Sequence, residues 1–254
     1  MRFHNQLAVV TGAAQGIGAA VVQQLLAQGA RVALLDRNEQ QLRDFYQTLN
    51  SDVCSMYVVD VADAQAVERC IEQVENTQGV IGLLANVAGI LHLDSLLDGS
   101  MSHWLDTFSV NTHGVFYVSR AVGRRMQARG EGAIVTVASN ASNTPRLNMG
   151  AYAASKAAST QLTLCLGLEL ARAGVRCNVV SPGSTETDMQ RQLWHSPQAK
   201  DAVLQGSLEQ FRMGIPLQRI AQPEDVAQAV CFLLSDEAKH ITMHDLRVDG
   251  GATI

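Results

Sequence analysis

The sequence predicts an α/β fold: a doubly wound parallel sheet with helices on both faces, forming a single domain over residues 1–254. Three observations carry that expectation. Short, wholly apolar runs alternate with longer stretches of helical spacing, and glycines punctuate the joins. Apolar residues make up 47% of the 254 and charged ones 17%, enough to bury a large core. No linker, repeat or low-complexity tract divides the chain.

Leu7 to Thr11 (LAVVT) reads as a strand buried on both faces, closed by Gly12. Gly16 to Gln28 places Ile17, Val21, Val22, Leu25 and Leu26 at helical spacing, and Gly29 ends the helix. Arg31 to Asp36 (RVALLD) is the second strand. A helix near Glu39 to Leu49, a strand at Cys54 to Val59 and a helix near Ala64 to Glu75 continue the alternation. A strand at Ile81 to Asn86, one long helix between Met101 and Arg129, and a strand at Ala133 to Ala138 follow. A helix begins near Gly150 and ends at Gly174, a strand spans Val175 to Val180, Pro223 and Glu224 open a helix, and a strand lies near Leu246 to Val248. Strands separated by helices pair in parallel through right-handed crossovers. The stretch from Ser184 to Leu217 breaks the rhythm. It follows a strand end, where ligands bind in such sheets, and is expected to form a substrate lid.

Charge and composition exclude several functions. A net charge of −5 argues against nucleic acid or an anionic membrane as partner. No apolar run approaches the ~18 residues that span a bilayer. The five cysteines are scattered among apolar neighbours and read as buried free thiols, which implies a cytoplasmic protein. His240 and His244 stand four apart without a third ligand, so no metal is expected.

The turn Thr11-Gly-Ala-Ala-Gln-Gly-Ile-Gly18 lies between a strand and a helix. Gly12, Gly16 and Gly18, with Gln15 and Ile17 between them, let backbone amides approach a pyrophosphate at the positive helix end. The same glycines would also serve a plain turn; the strand–turn–helix setting favours a coenzyme. Asp36 ends the second strand, where a carboxylate accepts hydrogen bonds from ribose hydroxyls and repels a 2′-phosphate. This favours NAD over NADP, although Arg37 beside it could bind that phosphate and Asp36 could instead cap the next helix. Tyr152 and Lys156, four apart on a helix, share one face. A nearby cation lowers a phenol's pKa from about 10 and makes it a usable base, but such a pair alone more often marks a surface.

The glycine turn, Asn86-Val-Ala-Gly89, Asn111, Ser139, Tyr152-x-x-x-Lys156 and Ser181-Pro-Gly183 resemble, in order and spacing, the motifs of the short-chain dehydrogenase/reductase family. The resemblance covers essentially the whole chain. It implies a Rossmann-type fold, a homotetramer, and Asn111, Ser139, Tyr152 and Lys156 as the catalytic set. Asp60 and Val61 would then meet the adenine, Asn86, Ala88 and Gly89 would line the coenzyme, and Pro182, Gly183 and Thr187 would border the nicotinamide. Lys156 would hold the nicotinamide ribose, and Asn111 would fix a water linking Lys156 to solvent. Where the family usually has a second asparagine, this chain has Val87.

Gly132 to Ala158, Gly174 to Trp194 and Ile215 to Ala227 are similar to the family's members that oxidise a cyclic diol carboxylate to a catechol in siderophore biosynthesis. Ser139 and Tyr152 would hold the reacting hydroxyl, and the substrate's carboxylate needs a cation. Arg146 is the first candidate and Arg191 the second, each with a solvated surface role as the alternative. Met189 and Trp194 would cover the ring or pack the lid. Docking with a neighbouring pathway enzyme stays open. Two alternatives stand beside this reading: a 3-oxoacyl or sugar-alcohol reductase of the same family, and a redox sensor that holds NAD without turnover.

Overall fold

A computed structural model describes residues 1–191 and 197–253, without the side chains of 197–199. Trp194 lies outside the described residues. The first half alternates strictly: β1 (Leu7–Thr11), α1 (Gly16–Ala27), β2 (Arg31–Asp36), α2 (Glu39–Leu49), β3 (Cys54–Val58), α3 (Ala64–Gln78) and β4 (Ile81–Asn86). Then come α4 (Met101–Phe108), α5 (Val115–Arg129), β5 (Gly132–Val137), α6 (Gly150–Leu170) and β6 (Val175–Pro182). The last part holds α7 (Asp188–Arg191), α8 (Pro197–Gln205), the two-residue strands β7 (Gly206–Ser207) and β8 (Arg212–Met213), α9 (Pro223–Leu234) and β9 (Asp245–Val248).

Seven strands form one parallel sheet in the order β3-β2-β1-β4-β5-β6-β9, as expected of a doubly wound fold. The order reverses between β1 and β4, which opens a crevice at the carboxyl ends of those strands. Alternation along β1 sends Ala8 and Val10 to one core and Leu7 and Val9 to the other. The first core packs against Val21, Val22 and Leu25 of α1 and Val226 and Val230 of α9. The second packs against Val67 and Ile71 of α3 and Val118, Val122 and Met126 of α5. Strands covered on both faces have no polar positions to offer, hence their unbroken apolar runs. Among the described residues, no helix is long and apolar enough to cross a membrane.

The structure departs from expectation in three places. The long helix from Met101 is interrupted by a π turn at Ser109–Gly114. A Cβ on Gly114 would press against Val61, 2.7 Å from its Cγ2, so close packing and the extra residue in the turn go together. The helix expected to reach Gly174 ends at Leu170 and finishes with a 3₁₀ turn, Gly174 closing it at φ +72°. Cys165, expected to be buried, is exposed, while Cys54, Cys70, Cys177 and Cys231 are buried, all five as free thiols.

The stretch expected to be a lid contains α7, α8 and the β7–β8 hairpin. Thr187 caps α7, its hydroxyl accepting from Gln190 N at 3.2 Å. The hairpin pairs Ser207 with Arg212 and Gly206 with Met213.

Candidate active site

Two connected cavities open along the carboxyl edge of the sheet. The first is lined by Gly12, Gln15, Gly16, Ile17 and Gly18 from the first turn, by Asp36 and Arg37, by Asp60 and Val61, and by Ala88 and Gly89. Gly12 and Gly16 adopt φ of +64° and +53°. A Cβ on Gly12 would lie 2.7 Å from the Ala88 backbone, and one on Gly18 would collide with the Gly12 carbonyl. Thr11 Oγ1 accepts from Val87 N at 3.0 Å and Ala88 N at 3.2 Å, which joins the ends of β1 and β4. Gln15 caps α1 without a side-chain hydrogen bond, so its leading amides are not covered by their own cap. A glycine cradle at an uncapped helix end fits the pyrophosphate of a dinucleotide.

Asp36 is not the cap of the following helix. That role belongs to Asn38, whose side chain accepts from Gln41 N at 3.1 Å. The Asp36 carboxylate accepts from Ala14 N at 3.1 Å and Asn38 N at 3.0 Å, and so stands fixed at the cleft wall.

The second cavity gathers Ser139, Arg146, Tyr152, Lys156, Pro182, Gly183, Gln190 and Arg212. Thr187 and Met189 line both cavities and mark their junction. Ser139 follows β5; Tyr152 and Lys156 lie in the first two turns of α6; Pro182 ends β6. Lys156 Nζ donates to the Val137 carbonyl at 2.9 Å and sits 5.8 Å from the centre of the Tyr152 ring. The ammonium is buried, and burial pulls it down from 10.5 to about 8. Burial also pushes the Tyr152 phenol above its usual value, opposed by a hydrogen bond with Ser139 that lowers it. For the phenol, desolvation outweighs that hydrogen bond.

Two expected residues turn away from the cavities. Asn86 is buried with its amide on Ser119 Oγ (2.8 Å) and Thr136 Oγ1 (3.3 Å), so its side chain ties β4 to α5 and β5 rather than facing the coenzyme cleft. Asn111, in the π turn, accepts from Ile90 N at 2.8 Å and donates to Ile90 O at 2.9 Å and Ser155 Oγ at 3.1 Å. Its side chain locks the segment after β4 onto α6, directly behind Gly89 and Lys156.

The arginines separate cleanly. Arg191 is exposed and already held by Glu186 at 2.9 Å and Asp188 at 2.8 Å, so it is not a free cation for substrate. Arg146 is half-buried and, among the described residues, has no carboxylate within ion-pair distance. Burial lowers its pKa, opposed by the charge of Asp249. Sequence reasoning missed several residues of this cavity, Gln190 and Arg212 among them. Arg212 reaches it because the β7–β8 hairpin returns to the end of β6, where its Nη2 donates to Ser184 Oγ at 3.1 Å. No motif announces it; the signal is a second arginine, besides Arg191, in a stretch already recognised as bordering the substrate.

A glycine cradle joined to a buried Ser–Tyr–Lys set defines a class of protein. The chain belongs to the short-chain dehydrogenase/reductase family and is an oxidoreductase. A family model described as enoyl-(acyl carrier protein) reductase matches residues 12–253. The chain is 49% identical over 252 residues to 2,3-dihydro-2,3-dihydroxybenzoate dehydrogenase of Bacillus subtilis, covering 98% of this chain and 97% of that one. It is 44% identical over 254 residues to the protein of the same name from Escherichia coli K12, covering 100% and 99%. A solved structure, titled crystal structure of gox2181, superposes with a TM-score of 0.91 at 34% identity, covering 98% and 96%.

Proposed function

We propose that this enzyme oxidises 2,3-dihydro-2,3-dihydroxybenzoate to 2,3-dihydroxybenzoate in siderophore biosynthesis, with NAD as coenzyme. The observation that carries the reading is the meeting, in one cavity, of Ser139, Tyr152 and Lys156 with an arginine, Arg146, that has no carboxylate of its own. The full-length likeness to dehydrogenases of that name supports it. Gly12, Gly16 and Gly18 would receive the pyrophosphate, Asp36 the adenosine ribose, and Asp60 and Val61 the adenine. Ala88 and Gly89 would line the coenzyme, and Pro182, Gly183 and Thr187 would border the nicotinamide. When bound, NAD supplies a hydride acceptor.

Ser139 Oγ and Tyr152 Oη hold the substrate hydroxyl, and Tyr152 takes its proton as hydride leaves the same carbon. Lys156, fixed by the Val137 carbonyl, stabilises the phenolate by its charge. Asn111 is a positioning residue, holding Ile90 and α6 at the back of the site. The ketone formed first tautomerises to an aromatic catechol, which drives the reaction toward oxidation. Arg146 binds the carboxylate, and Met189 borders the ring. Free thiols support a reducing cytoplasm, and exposed Phe116 and Leu168 on α5 and α6 support association into a homotetramer.

Purified enzyme given NAD and 2,3-dihydro-2,3-dihydroxybenzoate should build up the reduced-nicotinamide absorbance together with the catechol. A sugar alcohol or a 3-hydroxyacyl substrate oxidised faster, with the dihydrodiol inert, would overturn the reading.

A further inference from the structure

The substrate cavity holds more donors than the proposed chemistry uses. Arg212 and Arg146 both line it, and among the described residues neither has a carboxylate within ion-pair distance. Asp249 stands near Arg146, but its oxygens accept from Asn140 Nδ2 at 3.2 Å, Thr253 Oγ1 at 2.6 Å and Gly251 N at 3.0 Å. Burial lowers the Arg212 pKa, and the charge of Arg146 lowers it further, so the two guanidinium groups sense one another as like charges. Gln190, on α7, lines the same cavity, and its buried amide nitrogen has no hydrogen-bond partner. Three donor groups therefore share a cavity: two guanidinium groups without a carboxylate partner and a buried amide without any partner. Buried donors without acceptors and paired cations without an anion are each costly.

We propose that Arg212 is a specificity-determining residue that binds the substrate's carboxylate jointly with Arg146, with the Gln190 amide as a third donor. The proposal rests on the dihydrodiol reading and deepens it. A carboxylate carries two oxygens and about four lone-pair sites, enough to accept from both guanidinium groups and the amide together. One Arg212 nitrogen stays on Ser184, which leaves the remaining donors for substrate. Arg212 comes from the hairpin and Gln190 from α7, so the anion joins two segments that touch the sheet only at its edge. A neutral diol gains none of this. The pair therefore selects for a charged ring.

The test uses two measurements on wild type, Arg212→Gln and Arg212→Lys. In the first, benzoate is titrated calorimetrically into the enzyme–NAD complex. Arg212→Gln keeps a donor for Ser184 but removes the charge, and should weaken benzoate at least 10-fold while leaving NAD affinity unaltered. Arg212→Lys should recover part of the loss, because a point charge cannot make the forked contact. In the second, kcat/KM is compared for the carboxylated dihydrodiol and a neutral cyclohexadiene diol. The ratio between them should fall about 10–100-fold in Arg212→Gln, chiefly through KM. Equal benzoate affinity in wild type and Arg212→Gln, or equal losses on both diols, overturns the proposal. If wild type oxidises neither diol, the functional reading fails by itself, and the benzoate titration still decides whether the arginines form an anion site.

Discussion

The coenzyme cleft and the substrate cavity share Thr187 and Met189, yet they are built from different materials. The cleft is largely backbone: a glycine turn, a helix end and the joined ends of β1 and β4, with Asp36 fixed by two amides. Apart from Val110 and Thr187 to Met189, its lining comes from the first ninety residues, where strand and helix alternate without exception. The cavity is made largely of side chains brought from the end of β5, from α6 and α7, and from the β7–β8 hairpin. Backbone sites accept one ligand geometry, whereas side-chain sites can be re-cut for each substrate. One half of the molecule thus keeps the coenzyme while the other defines the reaction.

The sharpest way to break this division is at the acid/base group. Tyr152 lines the substrate cavity, and replacing it by Phe removes one oxygen from a buried ring. Turnover should fall by roughly 10²–10⁴-fold, the worth of a positioned acid/base group. NAD affinity, measured by fluorescence, should stay close to that of wild type. A variant that keeps a tenth of wild-type kcat would remove Tyr152 from its role; one that loses NAD binding would show the halves to be a single site.

The same contrast explains what could be read without a structure. The succession of strands and helices along the chain, the glycine turn and Tyr152–Lys156 are local patterns, set by buried strands and by i, i+4 spacing, and they appear in the structure close to where they are expected. The π turn is not local: it depends on Gly114 meeting Val61 and on Asn111 reaching Ile90 and Ser155. The direction of Asn86 depends on Ser119 and Thr136, 33 and 50 residues away. Arg191 could have been set aside from sequence, since Glu186 and Asp188 lie within one turn or so of it. Arg212 could not, because only the folded hairpin carries it to Ser184.

Arg146 tests the substrate half alone. Arg146→Ala should lower kcat/KM for a carboxylated diol by about 10–100-fold, the loss of a charge-assisted pair. Arg146→Lys should restore part of it. Equal impairment on a neutral diol would point to disruption of the loop instead.

Lys156 tests the cost of a buried cation. Its ammonium is lowered to about 8 in the fold from 10.5. Between those values the unfolded chain holds a proton that the folded one has released, so stability rises with pH across that window. Below pH 8 both states are protonated and the slope vanishes. From pH 8 to 9.5 the wild type should gain about 1–2 kcal/mol relative to Lys156→Met, read from urea midpoints. The buried thiols of Cys70, Cys177 and Cys231, raised to about 11, 12 and 12, give an opposite slope common to both proteins, which cancels in the difference. Parallel profiles would show that Lys156 keeps an ordinary pKa in the fold.

Asp36 tests the coenzyme half alone and should give the smallest effect. Its carboxylate lines the cleft beside Arg37, so a 2′-phosphate placed there would meet one repelling and one attracting charge. The repelling charge is fixed by Ala14 N and Asn38 N, while no hydrogen bond holds the Arg37 side chain among the described residues. A fixed charge at contact outweighs one that can swing into solvent, and NAD should be preferred over NADP. Asp36→Asn removes the charge and keeps an oxygen for one of the two amides, so the loop should hold its shape. The ratio of kcat/KM for NAD over NADP should shrink by about 10-fold, which is one unit charge's worth of repulsion at roughly 1.4 kcal/mol in a partly exposed site. Asp36→Ala should shrink it as far but also weaken NAD itself, since both amides lose their acceptor. The ratio for the carboxylated over the neutral diol should not move in either variant. If that second ratio did move, the cleft and the cavity would be coupled through Thr187 and Met189, and the division between a backbone half and a side-chain half would fail at its junction.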